Sequence, residues 1–313
     1  MIYLVDTGVL LRLADRRDPL HPTVRSAVRT LRRAGHILYF TPQNAAELRS
    51  LWTGELSTMT WQDQAAANRD SWSRRCHEHT KQWYRLEEFQ AGSITLDELQ
   101  LSEVGDVSGR TLLHLQCNVG IDTLSWARRG ARVTGVDISP QVIAAADQYS
   151  REFGVPARFV CCDIYDLKTT IDDRFDVVYS SQGVLCWLND LTQWAETMAL
   201  LLKPSGFVYL MEEHPFSVML DEKEPRPSEK YPYFHAEVPD HEDGETYQWF
   251  WSLSDVVNAL IRAGLRIDFL NEYPFIFWQR VPYMKTDDGH WWYVPGYHWP
   301  LMFTVKASKG VSG

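Results

Sequence analysis

Polar side chains stand at three points of the sequence where an apolar run ends. Gln116, Asn118 and Gly120 follow one such run, Asp137 ends the next, and Asp163 follows a third. Asp137 comes 17 residues after Gly120. A carboxylate at about that distance, at the end of a second strand, can accept hydrogen bonds from both hydroxyls of a ribose. The spacing therefore indicates a nucleoside-binding site.

The same loop argues against a dinucleotide. A pyrophosphate cradle needs the pattern G-x-G-x-x-G in front of an open helix N-terminus. Here Gln116 and Asn118 occupy positions where glycines would be expected, and only Gly120 is a glycine. An adenosine ligand without phosphates fits this loop better.

The elements that must position these residues alternate between strand and helix patterns from residue 111 onward. The predicted strands are 111–115, 131–136, 157–161, 175–180, 207–211, 265–270 and 301–307. The predicted helices are 121–129, 140–154, 191–202 and one capped by Ser252 or Ser254 that ends near 264. This order predicts a doubly wound α/β sheet, whose ligands lie outside the carboxyl ends of the strands. Residues 55–72 are polar and indicate a linker that runs into a helix.

The first 53 residues repeat the alternation on a smaller scale. Apolar runs at 2–5 and 36–40 flank a helix pattern that Pro22 opens, and another helix pattern follows at 43–52. This order predicts a βαβ unit with a parallel strand pair. Asp6 ends the first strand and Glu47 lies one turn into the later helix. Both carboxylates can then face one crevice and share a hard cation.

The string VDTGVLLRLAD, followed by TPQNAAEL, resembles the start of PIN-domain nucleases, the toxin-type magnesium-dependent RNases. The resemblance covers residues 1–53 and implies that Asp6 and Glu47 are two of the metal-binding acids. The acids of the second half of that family have no match after residue 53. We therefore predict a partial PIN-like βαβ segment at 1–53 without nuclease activity, and a second domain at 54–313. A metal-dependent ribonuclease, or an RNA- or protein-binding module, is the alternative function.

The second domain resembles the class I S-adenosylmethionine-dependent methyltransferases over about residues 66–308. LLHLQCNVGIDTLSWARRGARVTGVDIS matches their first two motifs, FVCCDIYDL the third, RFDVVYSSQGVLCWLND the fourth, and LLKPSG the turn before the fifth strand. Of the glycines in the family's first motif only Gly120 is kept, but HLQC-x-x-G with DTLSWAR is similar to a subgroup of bacterial small-molecule enzymes. The resemblance implies a seven-stranded Rossmann-like sheet, with the seventh strand antiparallel between the fifth and sixth.

The resemblance also implies contacts with the cofactor S-adenosyl-L-methionine. They are the loop 116–120 (Gln116, Cys117, Asn118, Gly120) on the methionine part, Asp137 on the ribose, Ile138 and Ile164 beside the adenine, Asp163 on its amino group, and Ser180 to Gly183, with Gln182, between the sulfonium and the acceptor. For Asp137 and Asp163 the alternative is a turn residue that caps the next helix. For Cys117 the alternative is a small buried core residue. An aromatic helix with Trp72 and Tyr84 precedes the domain's first strand, and we expect it to cover the cofactor as a lid.

Methyl transfer to an O–H or N–H group needs an aligned acceptor and an acceptor for its proton. His214 and then Glu213, just past the predicted fifth strand, are the candidates. A hydrogen-bonded turn histidine is the alternative for His214. The fourth motif SSQGVLCW lacks the Asn/Asp-Pro-Pro-aromatic string, and Cys186 lacks a preceding proline. Both absences disfavour enzymes that methylate nucleic-acid bases or glutamine.

Aromatic residues are concentrated in the connection 273–299. This stretch holds Trp278, Trp291, Trp292, Trp299, Tyr283, Tyr293 and Tyr297. These rings can form the wall of a hydrophobic acceptor pocket or a cage for a cation. The alternative, which we prefer from sequence, is a loop packed by its own rings.

Charge and cysteine content limit the remaining classes. The chain has 313 residues and a net charge of −10, which disfavours a broad nucleic-acid surface. Residues 1–50 carry a net charge of +4 and the remaining residues −14. This asymmetry indicates two segments of different origin. No apolar run is long enough for a membrane span, and the start MIYLVDTGVLL does not indicate a signal peptide. Five cysteines without metal-ligand spacing predict reduced thiols, a cytoplasmic protein and no bound metal. We expect a small-molecule methyl acceptor as partner.

Overall fold

The computed structural model describes residues 2–4, 20–33, 37–39, 60–228, 230–235, 239–241 and 244–310. The chain divides into two compact units, residues 1–60 and residues 61–313. Among the described residues no helix is both long enough and apolar enough to cross a lipid bilayer.

The first unit contains two strands and one helix. Strand β1 (Ile2–Leu4) pairs in parallel with β2 (Ile37–Tyr39), and α1 (His21–Arg33) connects them. The expected βαβ unit with its parallel pair is therefore present. The helix predicted at 43–52 lies outside the described residues.

The second unit is built on a seven-stranded sheet. Its strands are β3 (Thr111–Leu115), β4 (Arg132–Asp137), β5 (Arg158–Cys161), β6 (Phe175–Ser181), β7 (Leu202–Glu213), β8 (Leu265–Tyr273) and β11 (Met302–Lys309). Their order is β5-β4-β3-β6-β7-β11-β8, in which β11 is antiparallel to both neighbours and the other pairs are parallel. The predicted doubly wound sheet and its antiparallel insertion are both confirmed. A separate hairpin pairs β9 (Lys285–Thr286) with β10 (Trp292–Tyr293).

Helices and a 3₁₀ turn connect these strands. The helices are α2 (Trp61–Trp83), α3 (Leu86–Gln90), α4 (Glu98–Val104), α5 (Ile121–Arg128), α6 (Pro140–Glu152), α7 (Leu167–Thr170), α8 (Leu191–Leu201), α9 (Pro215–Val218) and α10 (Leu253–Arg262), and the 3₁₀ turn is Leu185–Trp187. The linker prediction for 55–72 is wrong from residue 61 onward, because α2 begins there. The helix was not predicted there because the segment is polar and only a narrow face of the helix is buried.

Side-chain caps explain where several helices begin. Ser139 accepts a hydrogen bond from the Val142 amide (3.2 Å), and Pro140 follows at the first helical position of α6. Ser252 and Asp255 form a reciprocal capping box at the start of α10. Such caps satisfy amide groups that have no partner within the helix. The cap at Ser252 agrees with the sequence prediction.

Two apolar cores cover the two faces of the sheet. Successive side chains of a strand point to opposite faces, so Val178 of β6 joins one core while Val177 and Tyr179 join the other. Trp194 and Trp126 are fully buried, one in each core. The sheet is therefore rigid, and its carboxyl edge is a fixed platform for a site.

Candidate functional site

A cavity of about 1450 Å³ opens at the carboxyl ends of the parallel strands. Gln116 after β3, Asp137 at the end of β4, Asp163 after β5 and Gln182 after β6 all line it. A single drug-sized ligand usually occupies roughly 300–1,000 Å³. The cavity is therefore large enough for two ligands side by side.

The loop after β3 has an unusual backbone. Gln116 and Asn118 have φ angles of +51° and +48°, a left-handed conformation that is rare outside glycine. Gln116 donates through Nε2 to the Val184 carbonyl (3.0 Å), while its buried Oε1 accepts no hydrogen bond from the described residues. Cys117 is buried beside them and lines the cavity. The loop thus presents a buried amide oxygen to a ligand.

Gly120 shapes this loop but does not line the cavity. Its φ is +75°, and a Cβ there would lie 2.6 Å from the ring of Phe159. A Cβ on Gly135, in the neighbouring strand, would lie 2.7 Å from the same ring and 2.8 Å from the Cys117 Sγ. Both positions require glycine because Phe159 fills the space above them. Gly120 therefore shapes the backbone of the loop from outside the cavity lining.

Asp137 is half-buried at the end of β4, and backbone amides hold its carboxylate. Asn118 donates to one oxygen (3.1 Å) and Ser139 to the other (3.0 Å). Burial raises the pKa of this carboxyl group to about 6, and the amide hydrogen bonds oppose that rise. Ile138 follows it and also lines the cavity. Asp137 therefore combines a fixed orientation with a carboxylate accessible to a ligand.

Asp163 stands at the neighbouring strand end with an aromatic residue beside it. Its carboxylate accepts from the Tyr165 amide (3.0 Å); burial raises the pKa of Asp163, and this hydrogen bond opposes the rise. The ring of Trp61 lies 5.1 Å from that of Tyr165. Ile164 is buried and lines the same part of the cavity. A carboxylate beside flat apolar side chains suits a nucleobase that carries an amino group.

The end of β6 differs in part from the expectation. Ser180 is fully buried and does not line the cavity, and its Oγ has no hydrogen bond with the described residues. The prediction that Ser180 lines the passage is therefore wrong, because the alternation of the strand turns it away. Gln182 does line the cavity with a φ of +60°, and its amide donates to the Met211 carbonyl (2.8 Å).

Glu212 holds the loop after β6, a role that was not predicted from sequence. Its buried carboxylate accepts from the amides of Gly183 (2.8 Å), Val184 (2.7 Å), Leu185 (3.0 Å) and Glu213 (2.7 Å). Burial raises its pKa, and these hydrogen bonds lower it. The loop is thereby fixed to β7.

The two candidate proton acceptors have different surroundings. His214 is buried outside the cavity lining, where its Nδ1 accepts from the Phe216 amide (3.1 Å) and its Nε2 lies 3.0 Å from a Glu272 carboxylate oxygen. Burial lowers its pKa, and Glu272 opposes this shift. His214 is therefore the hydrogen-bonded turn histidine of the alternative reading, and its assignment as the base is wrong.

Glu213 does line the cavity. Ser217 donates to its Oε1 (2.8 Å), and Arg280 Nε lies 3.5 Å from the same oxygen. Burial raises the pKa of Glu213, and the Arg280 charge lowers it. The guanidinium of Arg280 also lies 5.2 Å from the centre of the Trp278 ring.

Helix α2 contributes a stripe of side chains to the cavity. The members of the α2 stripe are Trp61, Ala65, Asn68, Trp72, His79 and Trp83. They recur at intervals of three, four or seven residues, which is one face of a helix. The Trp72 ring contacts those of His79 and Trp187, and Tyr84 lines the cavity just beyond the helix. Both predicted lid residues thus face the site.

The aromatic connection also reaches the cavity. Four of its rings line the cavity: Phe277, Trp278, Trp291 and Trp292. All four pack against the core that contains Val177 and Tyr179. Trp299, Tyr283, Tyr293 and Tyr297 do not line the cavity. Some rings of this stretch therefore pack the loop, and others form a wall of the cavity. Each of these two roles was considered from sequence.

Several polar cavity residues were missed at the sequence level. They are His79, Asp97, Gln100, His114, Asp122 and His290. Burial lowers the pKa of His114 to about 3 and raises that of Asp122 to about 6. The acid Asp122, two residues after Gly120, was the one available signal. Asp6 and Glu47 lie outside the described residues.

Comparison with known proteins supports this reading of the second unit. Residues 113–210 match the family described as "Methyltransferase domain". A ubiquinone biosynthesis O-methyltransferase of Chromobacterium violaceum is 32% identical over 103 residues, which is 33% of this chain and 44% of that protein. One of Xanthomonas euvesicatoria is 29% identical over 131 residues, 41% of this chain and 54% of that protein. The chain spans about half the length of the curated relatives it matches.

Solved structures with the same fold cover more of the chain. An S-adenosylmethionine-dependent methyltransferase of Mesorhizobium loti matches 67% of this chain and 96% of its own, with 20% identity and a TM-score of 0.52. A putative one of Listeria monocytogenes matches 67% and 95%, with 22% identity and a TM-score of 0.50. The second unit thus has the fold of these methyltransferases, and its residues 113–210 match the methyltransferase-domain family.

Proposed function

We propose that this protein transfers a methyl group from S-adenosyl-L-methionine to a small-molecule acceptor. The observation that carries the proposal is Asp137, a half-buried carboxylate held by two amides at the end of β4 and open to the cavity. Both ribose hydroxyls can donate to such a group. The family match over residues 113–210 supports the same reaction class.

The cavity residues fit the cofactor. The buried Oε1 of Gln116 has no hydrogen-bond partner among the described residues, and an ammonium group of the methionine part would supply one. Asp163 can accept from an adenine amino group, with Ile138 and Ile164 on the ring. When bound, the cofactor supplies an electrophilic methyl group on a sulfonium.

The chain's own residues orient the reactants and exclude water. Trp72 of the α2 stripe meets Trp187 with ring centres 5.5 Å apart, which narrows the cavity between α2 and the loop after β6. A dry, oriented site is most of what methyl transfer needs from a protein. Of the two predicted proton acceptors, Glu213 is the one that faces the cavity. It can hold a proton or the acceptor in place.

The names of the relatives favour an oxygen atom as the methyl acceptor. The curated relatives named above are O-methyltransferases, and the cavity wall of aromatic rings suits a small apolar molecule. The cavity's carboxylates disfavour a nucleic-acid substrate. The five cysteines are free thiols, which supports the expectation of a cytoplasmic protein.

Isothermal titration with S-adenosyl-L-methionine tests the proposal. We expect binding in the micromolar range, and Asp137→Ala should weaken it by about 1.5–3 kcal/mol, the usual cost of hydrogen bonds to a charged group. Asp172→Ala, which removes an exposed acid outside the cavity lining, is the matched control and should change nothing. Equal affinity of Asp137→Ala and the unaltered protein would refute the proposed cofactor site.

A further inference from the structure

Two buried polar atoms face each other in the cavity without hydrogen bonds. They are Oδ2 of Asp97 and Nε2 of His290, which lie 3.8 Å apart. Neither forms a hydrogen bond with any described residue, and both residues line the cavity. Buried polar atoms are nearly always hydrogen-bonded, so such a pair requires an explanation.

Asp97 is held rigidly with one oxygen to spare. Its Oδ1 accepts from the Gln100 amide (2.8 Å), and its own amide donates to Oε1 of Gln100 (3.0 Å), which together cap α4. Only 8% of its side chain is exposed. Capping uses Oδ1 and fixes the direction of Oδ2, which remains available to a ligand.

His290 is held by the hairpin from the opposite side. Asp288 accepts from the amides of His290 (2.8 Å) and Trp291 (2.9 Å), and the two rings lie 4.4 Å apart. Trp292 next to it pairs with Ile276 through two backbone hydrogen bonds. The imidazole therefore projects from an ordered turn.

We propose, on the basis of the methyltransferase function above, that Asp97 and His290 bind and deprotonate a hydroxyl group on a flat aromatic acceptor. The two atoms can each accept one hydrogen bond, so the pair suits two adjacent hydroxyl groups on one ring. Trp291, Trp292, Phe277 and Trp278 line the same cavity and offer surfaces for an aromatic ring. Both residues would touch the substrate and are catalytic in this proposal.

The proton and electron balance of the step is simple. The acceptor oxygen forms a bond to the methyl carbon, and the carbon–sulfur bond breaks with its electron pair moving to sulfur. The hydroxyl proton passes to Nε2 of His290, and the resulting imidazolium is stabilised by the Asp97 carboxylate. The products are an aryl methyl ether, a neutral thioether and a protonated histidine.

A cationic acceptor fits this end of the cavity less well. The guanidinium of Arg280 already lies over the Trp278 ring, and it also lines the cavity. A second cation beside it would be repelled. A neutral hydroxyl meets no such penalty, and the Asp97–His290 pair can take the proton that it must lose.

Catechol, aniline and anisole distinguish the possibilities in the full-length protein. Transfer of a labelled methyl group should occur to catechol and not to aniline. His290→Gln and Asp97→Asn should each lower kcat for catechol about 100-fold, in the range of general-base effects, and Asp97→Asn should also raise its KM about tenfold. Asparagine still caps α4, so Asp97→Asn removes the charge without removing the cap. Asp106→Asn and His298→Gln, which alter two exposed residues that do not line the cavity, are the matched controls.

Binding provides a second readout that does not depend on turnover. Quenching of tryptophan fluorescence should show that Asp97→Asn weakens catechol binding at least about tenfold and leaves anisole binding unchanged, because anisole has no hydroxyl to donate. Preferred methylation of aniline, no methylation of catechol, or full activity in both variants would overturn the inference. Loss of S-adenosyl-L-methionine binding to the unaltered protein would instead refute the proposed function.

Discussion

The charge of Asp137 connects solution pH to the proposed site at the scale of one residue. To accept hydrogen bonds from two ribose hydroxyls its carboxylate must be ionised, yet burial holds its pKa at about 6. The same shift acts on folding with the opposite sign. The folded protein binds the proton more tightly than the unfolded chain, so this contribution to stability falls as pH rises from about 4 to about 6 and is constant above.

Cofactor binding should therefore weaken in acid. At pH 5 about one tenth of a group with a pKa of about 6 is ionised, so we expect an affinity about tenfold lower than at pH 7.5. Isothermal titration at both pH values measures this ratio. Asp137→Asn should remove the dependence, whereas Asp122→Asn, which alters the other cavity acid with a pKa of about 6, should keep it. An affinity that is the same at both pH values would contradict the assignment.

At the scale of one element, α2 connects the cavity with two other parts of the second unit. Asn68 of the α2 stripe exchanges two hydrogen bonds with the backbone of Tyr247 (2.9 and 2.8 Å). Ser73 lies 2.8 Å, Oγ to Oγ, from Ser139, the cap of α6. The helix is therefore attached at its middle, while its aromatic side chains face the ligand space.

Cofactor binding should protect α2 from hydrogen exchange. Amides of Trp61–Trp83 should exchange more slowly once S-adenosyl-L-methionine occupies the cavity that the stripe lines, because local opening would then expose the bound ligand. Exchange measured by mass spectrometry with and without cofactor shows the change. Helix α10 (Leu253–Arg262) has no residue in the cavity lining and is the internal control. Unchanged exchange in α2 would mean that it is a structural helix and not a lid.

The elements also show where prediction from sequence succeeds and fails. Strands such as β3 and β6 were predictable because their apolar runs are continuous and end in polar turns. Helix α2 was placed too late because its inward stripe includes Asn68 and His79, which break the apolar period. His214 was misassigned because proximity to a strand end does not fix the direction of a side chain, and its neighbour Glu213 takes the cavity side. Asp97 and His290 are 193 residues apart, and no local pattern could join them.

At the scale of the whole molecule, the two units of the chain differ in net charge and in their contribution to the proposed site. Every described residue that lines the cavity comes from the unit 61–313, beginning with Trp61 at its boundary. Residues 1–50 carry +4 and the remainder −14. We propose that the first 53 residues are a partial PIN-like segment that takes no part in methyl transfer.

Removal of residues 1–60 should therefore leave the cofactor site intact. We expect residues 61–313 to fold and to bind S-adenosyl-L-methionine within about twofold of the full-length affinity, since the cavity and both cores lie in that unit. Circular dichroism and isothermal titration on the shortened chain measure the two properties. The same deletion carrying Asp137→Ala is the negative control. A folded deletion protein that no longer binds the cofactor would show that the first unit contributes to the site.

The carboxylate of Glu212, with its four amide donors, has a consequence for the energetics of recognition. A surface loop commonly loses conformational entropy when it closes on a ligand, and that loss reduces the affinity. The loop 183–185 is already ordered through β7 before any ligand arrives. Its ordering cost belongs to folding, so ligands meet a preorganised wall on this side of the cavity.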